Sequence, residues 1–550
     1  MALSLVRRRG PTPGFRIIRT KESGSVGTGS DWSRGRKMNI STDPWIPVLW
    51  DDGKAGLVSL CDIFARGDRI RDLAVRPHER IALMRLLVCI AQAALDGPEH
   101  TAAWEKCRER LGPDSLSYLE KKHKTFELFG RGQRFLQVDG VSAKTCKGKE
   151  PAATQASKLD IALASGHNST LFDNGGGIGR SFEPARLALN ALAFQCFSPG
   201  GRIGVARWNT AETPGKGASE HAPCMANGML HALIRRDHLL ETVRFNLLCR
   251  DQVSRIYGRD RWGKPVWEWM PRGMKDRDAV ENATSTYLGR LVPLSRCLRL
   301  ADDGRSLILA NGLGYGEWRE ASATIVTRGS GTKQERVFLR VSLSKAVWRE
   351  LHAVTVLARD AQGNGGPLVL GNVKKSSDFD VWVGGVASKQ AKILDTVESV
   401  LHVPSAMLDD VCQKTYGEGV RWAESISSRL GRAICTYRRE LGDNLDRAES
   451  RNRRMTIQGM AADRYWTEVE QSVPKLLEIA SSPSVLGQPS NWAKTAWGSA
   501  CRQAVLRAYE AACPSATSRQ LKAYVKGLES LNVDKADSGD AEDEVEENEA

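Results

Sequence analysis

The sequence AMLDDVCQKTYGEGVRWAESISSRLGRAICTYRREL, residues 406–441, indicates that the last part of the chain is helical. Its apolar residues recur at helical spacing, and the same period continues through Thr456–Ala480, Trp492–Ala512 and Ala516–Leu531. Breaks that contain Pro, Gly or Asn separate these stretches, and no strand pattern lies between them. Four amphipathic helices in succession predict an antiparallel four-helix bundle over residues 401–532.

The residues before this bundle mix helical and strand patterns. Two prolines favour an extended segment from Asp43, and Asp-Asp-Gly at 51–53 indicates a turn between short strands. Short apolar runs between Gly turns predict hairpins over residues 290–345. Helices are predicted at 78–96, 100–111, 182–195 and Cys224–Leu248. We therefore predict an α+β protein, with a large mixed α/β domain at residues 38–400 followed by the bundle.

Charge divides the chain into a basic body and an acidic end. Lys and Arg number 79 against 65 Asp and Glu, for a net charge of +14. The tail from Asp534 onward carries nine acids and one Lys, so residues 1–533 hold +22 without it. Such a body suits a polyanionic partner, although the balance also fits an ordinary soluble protein.

Both ends are predicted to be disordered. Residues 1–37 carry nine Arg or Lys and two acids without hydrophobic periodicity. They suit either a transit peptide or, as we prefer, a disordered basic extension before a natural start at Met38. The acidic tail, residues 533–550, has almost no apolar content to bury.

Cysteine usage and hydropathy bound the cellular setting. The twelve cysteines are scattered without a Cys-x-x-Cys pair, which argues against a local zinc site and fits a reducing cytoplasm. The most apolar run, Ile81–Leu95, contains Arg85 and Gln92 and is too short to cross a bilayer. We expect no membrane association, cofactor or metal.

No catalytic motif is complete in the sequence. Pro214-Gly215-Lys216-Gly217 lacks the flanking residues of a P-loop, and the spaced glycines at 312–316 open no helix. Asp378, Asp380 and Lys389 loosely imitate the carboxylate–lysine set of a metal-dependent nuclease, a spacing that is common by chance. We nominate no catalytic residue.

Two glycine elements and a basic loop are the candidates for binding. In VGGVASKQAKIL, residues 383–394, a Gly pair precedes Ser388, Lys389 and Gln390, whose side chains suit phosphate and base edges. An ordinary strand-to-helix loop explains the same residues. Gly200 and Gly201 offer backbone N–H groups to a minor groove or to phosphates, or simply end a helix.

The basic loop covers residues 143–160, and its composition predicts that it is flexible. It holds Lys144, Lys147, Lys149 and Lys158 among small and polar residues, and a solubilising surface loop is an equal explanation. The loop continues into the glycine-rich segment 165–179, where Phe172 and Asn174 stand beside three glycines.

The order of these elements resembles the CasA-type large subunit of the type I-E CRISPR surveillance complex Cascade. The resemblance starts at Met38 with MNISTDPWIPV and covers roughly residues 38–531. It rests on the following segments: RIALMRLLVCIAQAAL at 80–95, Phe135–Gly140, Leu171–Asn174, Ser198–Gly201 and Gly384–Ile393.

This resemblance implies a non-catalytic subunit that recognises the protospacer-adjacent motif (PAM) in double-stranded DNA and starts strand opening and R-loop formation. It implies a glycine loop at Gly200–Gly201, a glutamine wedge at Gln390 after Ser388 and Lys389, and a finger at Arg305, where the family has Lys. Residues 143–174, with Phe172 and Asn174, would face the crRNA 5′ end and neighbouring subunits.

The implied partners are target DNA, the crRNA 5′ end, other Cascade subunits and a trans-acting helicase-nuclease. The Cascade partners are the small, backbone and 5′-handle-binding subunits, and the bundle would pack on the small ones. Arginines of the bundle and its first connection could follow a phosphate backbone; these are Arg421, Arg429, Arg432, Arg438, Arg439, Arg447, Arg451, Arg453 and Arg454. The rival functions are a metal-dependent nuclease and a general RNA-binding assembly protein.

Overall fold

The computed structural model describes most of the chain between residues 37 and 531. The described ranges are 37–144, 154–163, 181–200, 203–215, 221–329, 333–357, 363–373, 377–389, 392–444, 447–482 and 491–531. Within them the chain forms two compact units, which divide between His402 and Val403. The larger unit holds described residues up to 345 and 357–402, and the second holds 346–356 and those from 403. The extensions predicted for 1–37 and 533–550 lie outside the described residues, apart from Lys37.

The larger unit carries short antiparallel sheets. Their strands are β1 (Ile46–Trp50), β2 (Ala55–Val58), β3 (Ile70–Leu73), β4 (Val141–Ala143), β5 (Thr154–Gln155), β6 (Ala206–Trp208), β7 (Ala211–Glu212), β8 (His231–Arg235), β9 (Arg296–Leu300), β10 (Ser306–Asn311), β11 (Ile325–Arg328), β12 (Glu335–Phe338), β13 (Phe379–Lys389) and β14 (Lys392–Val403). The sheet orders are β2-β1-β3, β5-β10-β9, β11-β12, β14-β13-β8 and β4-β6-β7. The hairpins predicted around residues 51–53 and within 290–345 are confirmed.

Helices pack around these sheets. In the larger unit they are α1 (Leu60–Arg66), α2 (Pro77–Leu95), α3 (Thr101–Lys121), α4 (Pro184–Phe197), α5 (Leu239–Phe245), α6 (Arg250–Tyr257), α7 (Arg277–Ser285) and α8 (Tyr287–Leu291). The predictions for 78–96 and 182–195 are confirmed. Helix α3 is longer than predicted, because it continues through Pro113 to Lys121.

The helix predicted at Cys224–Leu248 is wrong. Pro223–Gly228 is a 3-10 helix, and Gly228 then takes a φ of +62°, which ends the helical geometry. Strand β8 follows and pairs with β13 from Asp380 opposite Arg235 to Gly384 opposite His231. Strand pairing with a segment about 150 residues later overrides the local helical period, and only α5 remains helical.

Helix α2 lies in the middle of the larger unit, buried around its whole circumference for most of its length. Its Arg85 is 6% exposed and donates from Nε to the carbonyl of Leu291 (2.8 Å) and from Nη2 to that of Arg290 (2.6 Å). Arg85 Nη1 also lies 2.7 Å from Glu320 Oε2, and Arg290 Nη2 lies 3.4 Å from Glu320 Oε1. One buried carboxylate thus joins two buried guanidiniums.

The second unit is helical. It contains α9 (Leu351–Val354), α10 (Asp410–Glu440), α11 (Ala448–Glu470), α12 (Val473–Ser481), α13 (Ala496–Ala512) and α14 (Ser518–Leu531). The single helix predicted at Thr456–Ala480 is two helices, α11 and α12, separated at Gln471–Ser472. Pro474 lies in the first turn of α12, where it is tolerated, but it could not continue α11.

Buried aromatic residues connect the helices of this unit through hydrogen bonds from their Trp N–H and Tyr O–H groups. Trp497 Nε1 donates to the carbonyl of Gly419 (2.9 Å), and Tyr465 Oη donates to that of Ala423 (2.9 Å). Tyr437 Oη donates to the carbonyl of Pro514 (2.6 Å). A buried hydroxyl without a partner is costly, so these bonds favour one register of the helices.

The Glu320 carboxylate yields the first prediction. Glu320→Gln should lower the free energy of unfolding by about 3–5 kcal/mol, because two buried guanidiniums lose their countercharge. Glu281→Gln is the control, since Glu281 pairs with Arg261 at 65% and 40% side-chain exposure and should cost less than about 1 kcal/mol. Urea unfolding of both variants measures the difference.

The interaction of Glu320 with Arg85 and Arg290 also predicts that acid destabilises the fold. Burial alone raises the pKa of Glu320, but the charges of Arg85 and Arg290 outweigh burial and leave the pKa below its usual value. A lowered folded-state pKa stabilises the fold above the usual glutamate range, and this stabilisation is lost as pH falls through the folded-state pKa. The parent should therefore lose more stability than Glu320→Gln on acidification. Equal losses would show that the ionised Glu320 does not stabilise the fold.

Candidate nucleic-acid interface

The segment Ser198–Gly200 follows α4 and is held in place from β9. Arg296 Nε donates to Ser198 Oγ (2.8 Å), and its Nη2 donates to the carbonyl of Pro199 (3.0 Å). The N–H of Ala222 donates to the carbonyl of Ser198 (3.0 Å). Arg296 is buried, so its bonds to this segment are shielded from water. The glycine loop therefore starts from a fixed base.

Gly200 does not offer its backbone N–H to a ligand, as the sequence had led us to expect. Its N–H donates to Nδ1 of His221 (2.8 Å), and the residue is buried rather than open to a ligand. Burial, and then the charge of Arg296, lowers the pKa of His221. The neutral imidazole that results accepts at Nδ1 and carries its proton on Nε2. Gly201, the second glycine of the pair, lies outside the described residues.

The basic loop begins and ends on neighbouring sheets. Lys144 directly follows β4, and its Nζ lies 2.8 Å from Glu212 Oε1. At the far end, β5 pairs with β10, and Ala156 N–H donates to the carbonyl of Arg305 (2.9 Å). Lys147, Lys149, Phe172 and Asn174 lie outside the described residues.

Part of this loop is packed rather than solvated. Residues Ala156–Leu159 form a 3-10 helix with Ala156, Ser157 and Leu159 buried. Burial lowers the pKa of Lys158. The prediction of a flexible loop is therefore wrong for residues 154–160, because a hydrogen-bonded strand and apolar contacts hold them.

Arg305 is an exposed residue of the turn between β9 and β10, where Gly304 takes a φ of +66°. The glycine loop meets the other end of the same hairpin, since Arg296 begins β9 and Asn311 N–H donates to the carbonyl of Gly204 (3.3 Å). Strand β10 runs between Arg305 and Asn311 and spans about 20 Å of extended chain. The two candidates thus share one hairpin but lie at its opposite ends.

The residues of VGGVASKQAKIL form part of a long hairpin, β13–β14. Gln390 falls between the two strands and lies outside the described residues, after a half-buried Ser388 and the backbone of Lys389. The segment from Lys392 is a strand, so the alternative of a strand-to-helix loop is wrong.

The Gly pair of this segment lies within β13, not at the turn. A Cβ on Gly384 would stand 2.5 Å from the Trp382 ring and 2.7 Å from the carbonyl oxygen of Val397. A Cβ on Gly385 would stand 2.6 Å from Val341 Cγ2. The glycines therefore allow close packing in the middle of β13.

The acidic residues of the nuclease hypothesis do not meet its lysine. Asp380 Oδ1 lies 2.9 Å from His402 Nδ1, and Asp378 Oδ2 lies 3.8 Å from His402 Nε2. Lys389 is the last residue of β13, about 30 Å farther along that strand than Asp380. Among the described residues, no group of three His, Cys, Asp or Glu is placed to hold a metal ion.

Most of the nine arginines proposed to follow a phosphate backbone are exposed, and several already have acidic neighbours. Arg421 pairs with Glu418 (3.6 Å) and Arg453 with Glu449 (3.7 Å), both one helical turn away. Arg438 pairs with Asp443. These acids partly neutralise three of the nine arginines.

The chain matches the family described as CRISPR-associated protein Cse1 over residues 39–508. It belongs to this family. The CasA/Cse1 protein of Thermus thermophilus is 25% identical over 525 residues, which cover 89% of this chain and 96% of that protein. The predicted resemblance to a CasA-type large subunit is confirmed.

Solved structures agree with the fold. The structure of Thermus thermophilus CasA matches with a TM-score of 0.70 at 22% identity, covering 90% of this chain and 98% of that one. A chain solved as a CRISPR RNA-guided surveillance complex matches with a TM-score of 0.66 at 15% identity, covering 90% and 99%. The α+β class with a C-terminal helical region is thereby confirmed for this Cse1-family chain.

None of the described helices is long and apolar enough to span a bilayer.

Sequence reasoning missed Arg296 and His221, which hold the glycine loop. No local signal could have found them, because Arg296 lies 98 residues after Ser198 in the sequence.

His221→Phe should expose the Gly200 amide. Loss of one hydrogen bond of about 0.5–1.5 kcal/mol should raise the amide exchange rate at Gly200 up to about tenfold. His238→Phe is the control, because the half-buried His238 lies beside Asp51 (Nδ1 to Oδ1, 3.3 Å) and not at Gly200. Hydrogen exchange resolved at Gly200 measures both.

Acid should have the same effect in the parent protein. Protonation of His221 removes the acceptor, and its lowered pKa keeps the bond intact at neutral pH and through the usual histidine range near 6.5. Protection of Gly200 should therefore disappear only below that range. Protection that is unchanged in His221→Phe would show that the bond does not hold the loop.

Proposed function

We propose that this Cse1-family chain recognises the PAM in double-stranded DNA and starts strand opening within an RNA-guided Cascade complex. The observation that carries the proposal is the glycine loop, whose base is pinned by Arg296 and His221 on a strongly basic unit. Backbone without a Cβ can approach the minor groove closely, and readout there is degenerate. Such a loop would accept several related motifs.

The proposed opening step belongs to the β13–β14 hairpin. Its strands are eleven and twelve residues long, and its tip follows Lys389, four residues or about 13 Å beyond the packed Gly385. Unstacking one base step costs about 1–2 kcal/mol, which the Gln390 side chain would offset by taking the place of a base. Guide–target pairing then nearly balances the duplex that it replaces, so little further energy is required.

The remaining assignments are also proposals. Arg305, Lys389 and the lysines at 144, 147 and 149 would contact phosphates, while Phe172 and Asn174 would face the crRNA 5′ end and adjacent subunits. The roughly 20 Å between Arg305 and the glycine loop is about six base pairs of DNA, so Arg305 would contact a different part of the duplex. The chain would make and break no covalent bond and would admit a trans-acting helicase-nuclease.

Gln390→Ala tests the wedge. In the assembled complex with guide RNA, the variant should open target DNA about 5- to 30-fold more slowly, the factor that corresponds to about 1–2 kcal/mol. Initial binding should change less. Gln334→Ala is a matched control, because Gln334 is an exposed glutamine beside the β11–β12 turn. Stopped-flow fluorescence of a base analogue next to the PAM reports opening, and equal rates for Gln390→Ala and the parent would remove the wedge assignment.

Gly201→Asp tests the glycine loop. A carboxylate at this position should abolish detectable PAM-dependent binding, because it adds a side chain and a negative charge where DNA would lie. Gel-shift titrations with duplexes of different PAM sequence measure the loss. Wild-type complex that binds all motifs equally would favour the general RNA-binding alternative, and R-loop formation that survives in Gly201→Asp would exclude the loop as the reader.

A further inference from the structure

A cleft unrelated to the glycine loop opens in the larger unit between α3, α5 and the segment before β13. Its cavity volume is about 370 Å³, within the range of sites that hold a small molecule. The floor is buried, with Trp104 3% and Arg244 8% exposed. Arg108 and Arg236 line the same cleft. Three guanidiniums therefore border one concave space.

Aromatic rings orient two of these guanidiniums. Arg244 lies over the Trp104 ring at 4.3 Å and over the Phe245 ring at 4.7 Å, measured from its Cζ to each centroid. Arg236 lies over the Phe245 ring at 4.7 Å. The two rings meet edge to face at 5.3 Å, so they form one support. Stacking restrains a guanidinium and leaves the N–H groups on its edge available.

Acidic residues neutralise only part of this charge. Glu241 is shared, since it lies 3.0 Å from Arg108 and 2.9 Å from Arg244. Glu105 is the one carboxylate that lines the cleft among the described residues. Arg236 has no carboxylate within ion-pair distance in the described part of the chain. Three cations against two anions leave an excess of positive charge, centred on Arg236.

We propose that this cleft binds the phosphate group of a nucleotide. A guanidinium edge matches phosphate oxygens in bidentate geometry, and Arg236 is oriented for this without a competing carboxylate. The hydroxyl of Ser377, also in the lining, offers a further donor. The buried floor and the nucleotide-scale volume suit a compact ligand or a strand end better than the extended carboxylates of an acidic peptide.

This site is separate from the proposed opening element. Ser377 precedes β13 at the base of the hairpin, whereas Lys389 ends that strand. About twelve residues of extended chain separate them, roughly 40 Å. Binding to the isolated full-length chain therefore tests the cleft, while R-loop formation in the complex tests the wedge, so the two proposals can fail independently.

The experiment titrates the full-length chain with ATP, with a 5′-phosphorylated ten-nucleotide DNA strand and with unphosphorylated adenosine, using calorimetry. Both phosphorylated probes, or either one alone, should bind, and adenosine should not. Binding by ATP alone identifies a free nucleotide as the source of the phosphate, and binding by the strand alone that is lost when the same strand lacks its 5′-phosphate identifies a nucleic-acid end. A hexaglutamate peptide that binds while both phosphorylated probes fail would overturn the proposal.

Variants locate the binding. Arg236→Gln and Arg108→Gln should each weaken binding of the phosphorylated probe about tenfold or more, as expected for loss of a charge-assisted hydrogen bond. Arg236→Lys should recover part of the loss, because it keeps the charge but not the planar fork. Arg328→Gln, an exposed arginine on β11 outside the cleft, is the control and should bind like the parent.

Arg108 has a side chain that is 72% exposed, so Arg108→Gln should fold normally even if a change at Arg236 disturbs the cleft. Parent-like binding by Arg108→Gln together with Arg236→Gln would exclude the cleft. Failure of the parent to bind either phosphorylated probe would also refute the proposal, as would equal weakening by Arg328→Gln.

Discussion

The larger unit depends on the buried charge of Arg85. A guanidinium in the middle of an apolar helix is tolerated only if each of its donors is satisfied, and α2 achieves this with two carbonyls of α8 and the carboxylate of Glu320. Arg290 shares that carboxylate and lies over the rings of Tyr315 and Trp318, 5.2 and 5.0 Å from their centroids. The hydrogen bonds and ion pair of Arg85 thereby fix α2, α8 and the segment around Glu320 relative to one another.

This constraint extends toward the glycine loop through a short path. Strand β9 starts shortly after Leu291, and its first residue, Arg296, exchanges two hydrogen bonds with the Gln195 side chain of α4 (2.8 and 2.9 Å). Arg296 then holds Ser198 and Pro199, just beyond the end of α4. The residues that lead into the proposed glycine loop are therefore fixed, and residues that are already ordered add no ordering cost when a ligand binds.

Local patterns predicted the elements whose stability is local. Helix α2, the β1–β2 hairpin and the long helix α10 follow from periodicity, a Pro near a helix start or an Asp-Asp-Gly turn. The failures occur where distant pairing decides the conformation. Strand β8 has a helical apolar period but pairs with β13, and Gly384 and Gly385 resemble turn residues but meet close neighbours within a strand.

The sequence by itself determined the family and the basic charge of residues 1–533. It also determined that an α+β region is followed by a helical one. These properties depend on composition, on the order of motifs and on the period of apolar residues. Only the tertiary structure decided which side chains hold the glycine loop, that Asp380 and Lys389 lie far apart, and that Arg108, Arg236 and Arg244 line one cleft. Residues such as Ser198 and Arg296 are 98 positions apart, and no local period encodes that contact. Burial and complete hydrogen bonding select it only when the whole chain packs.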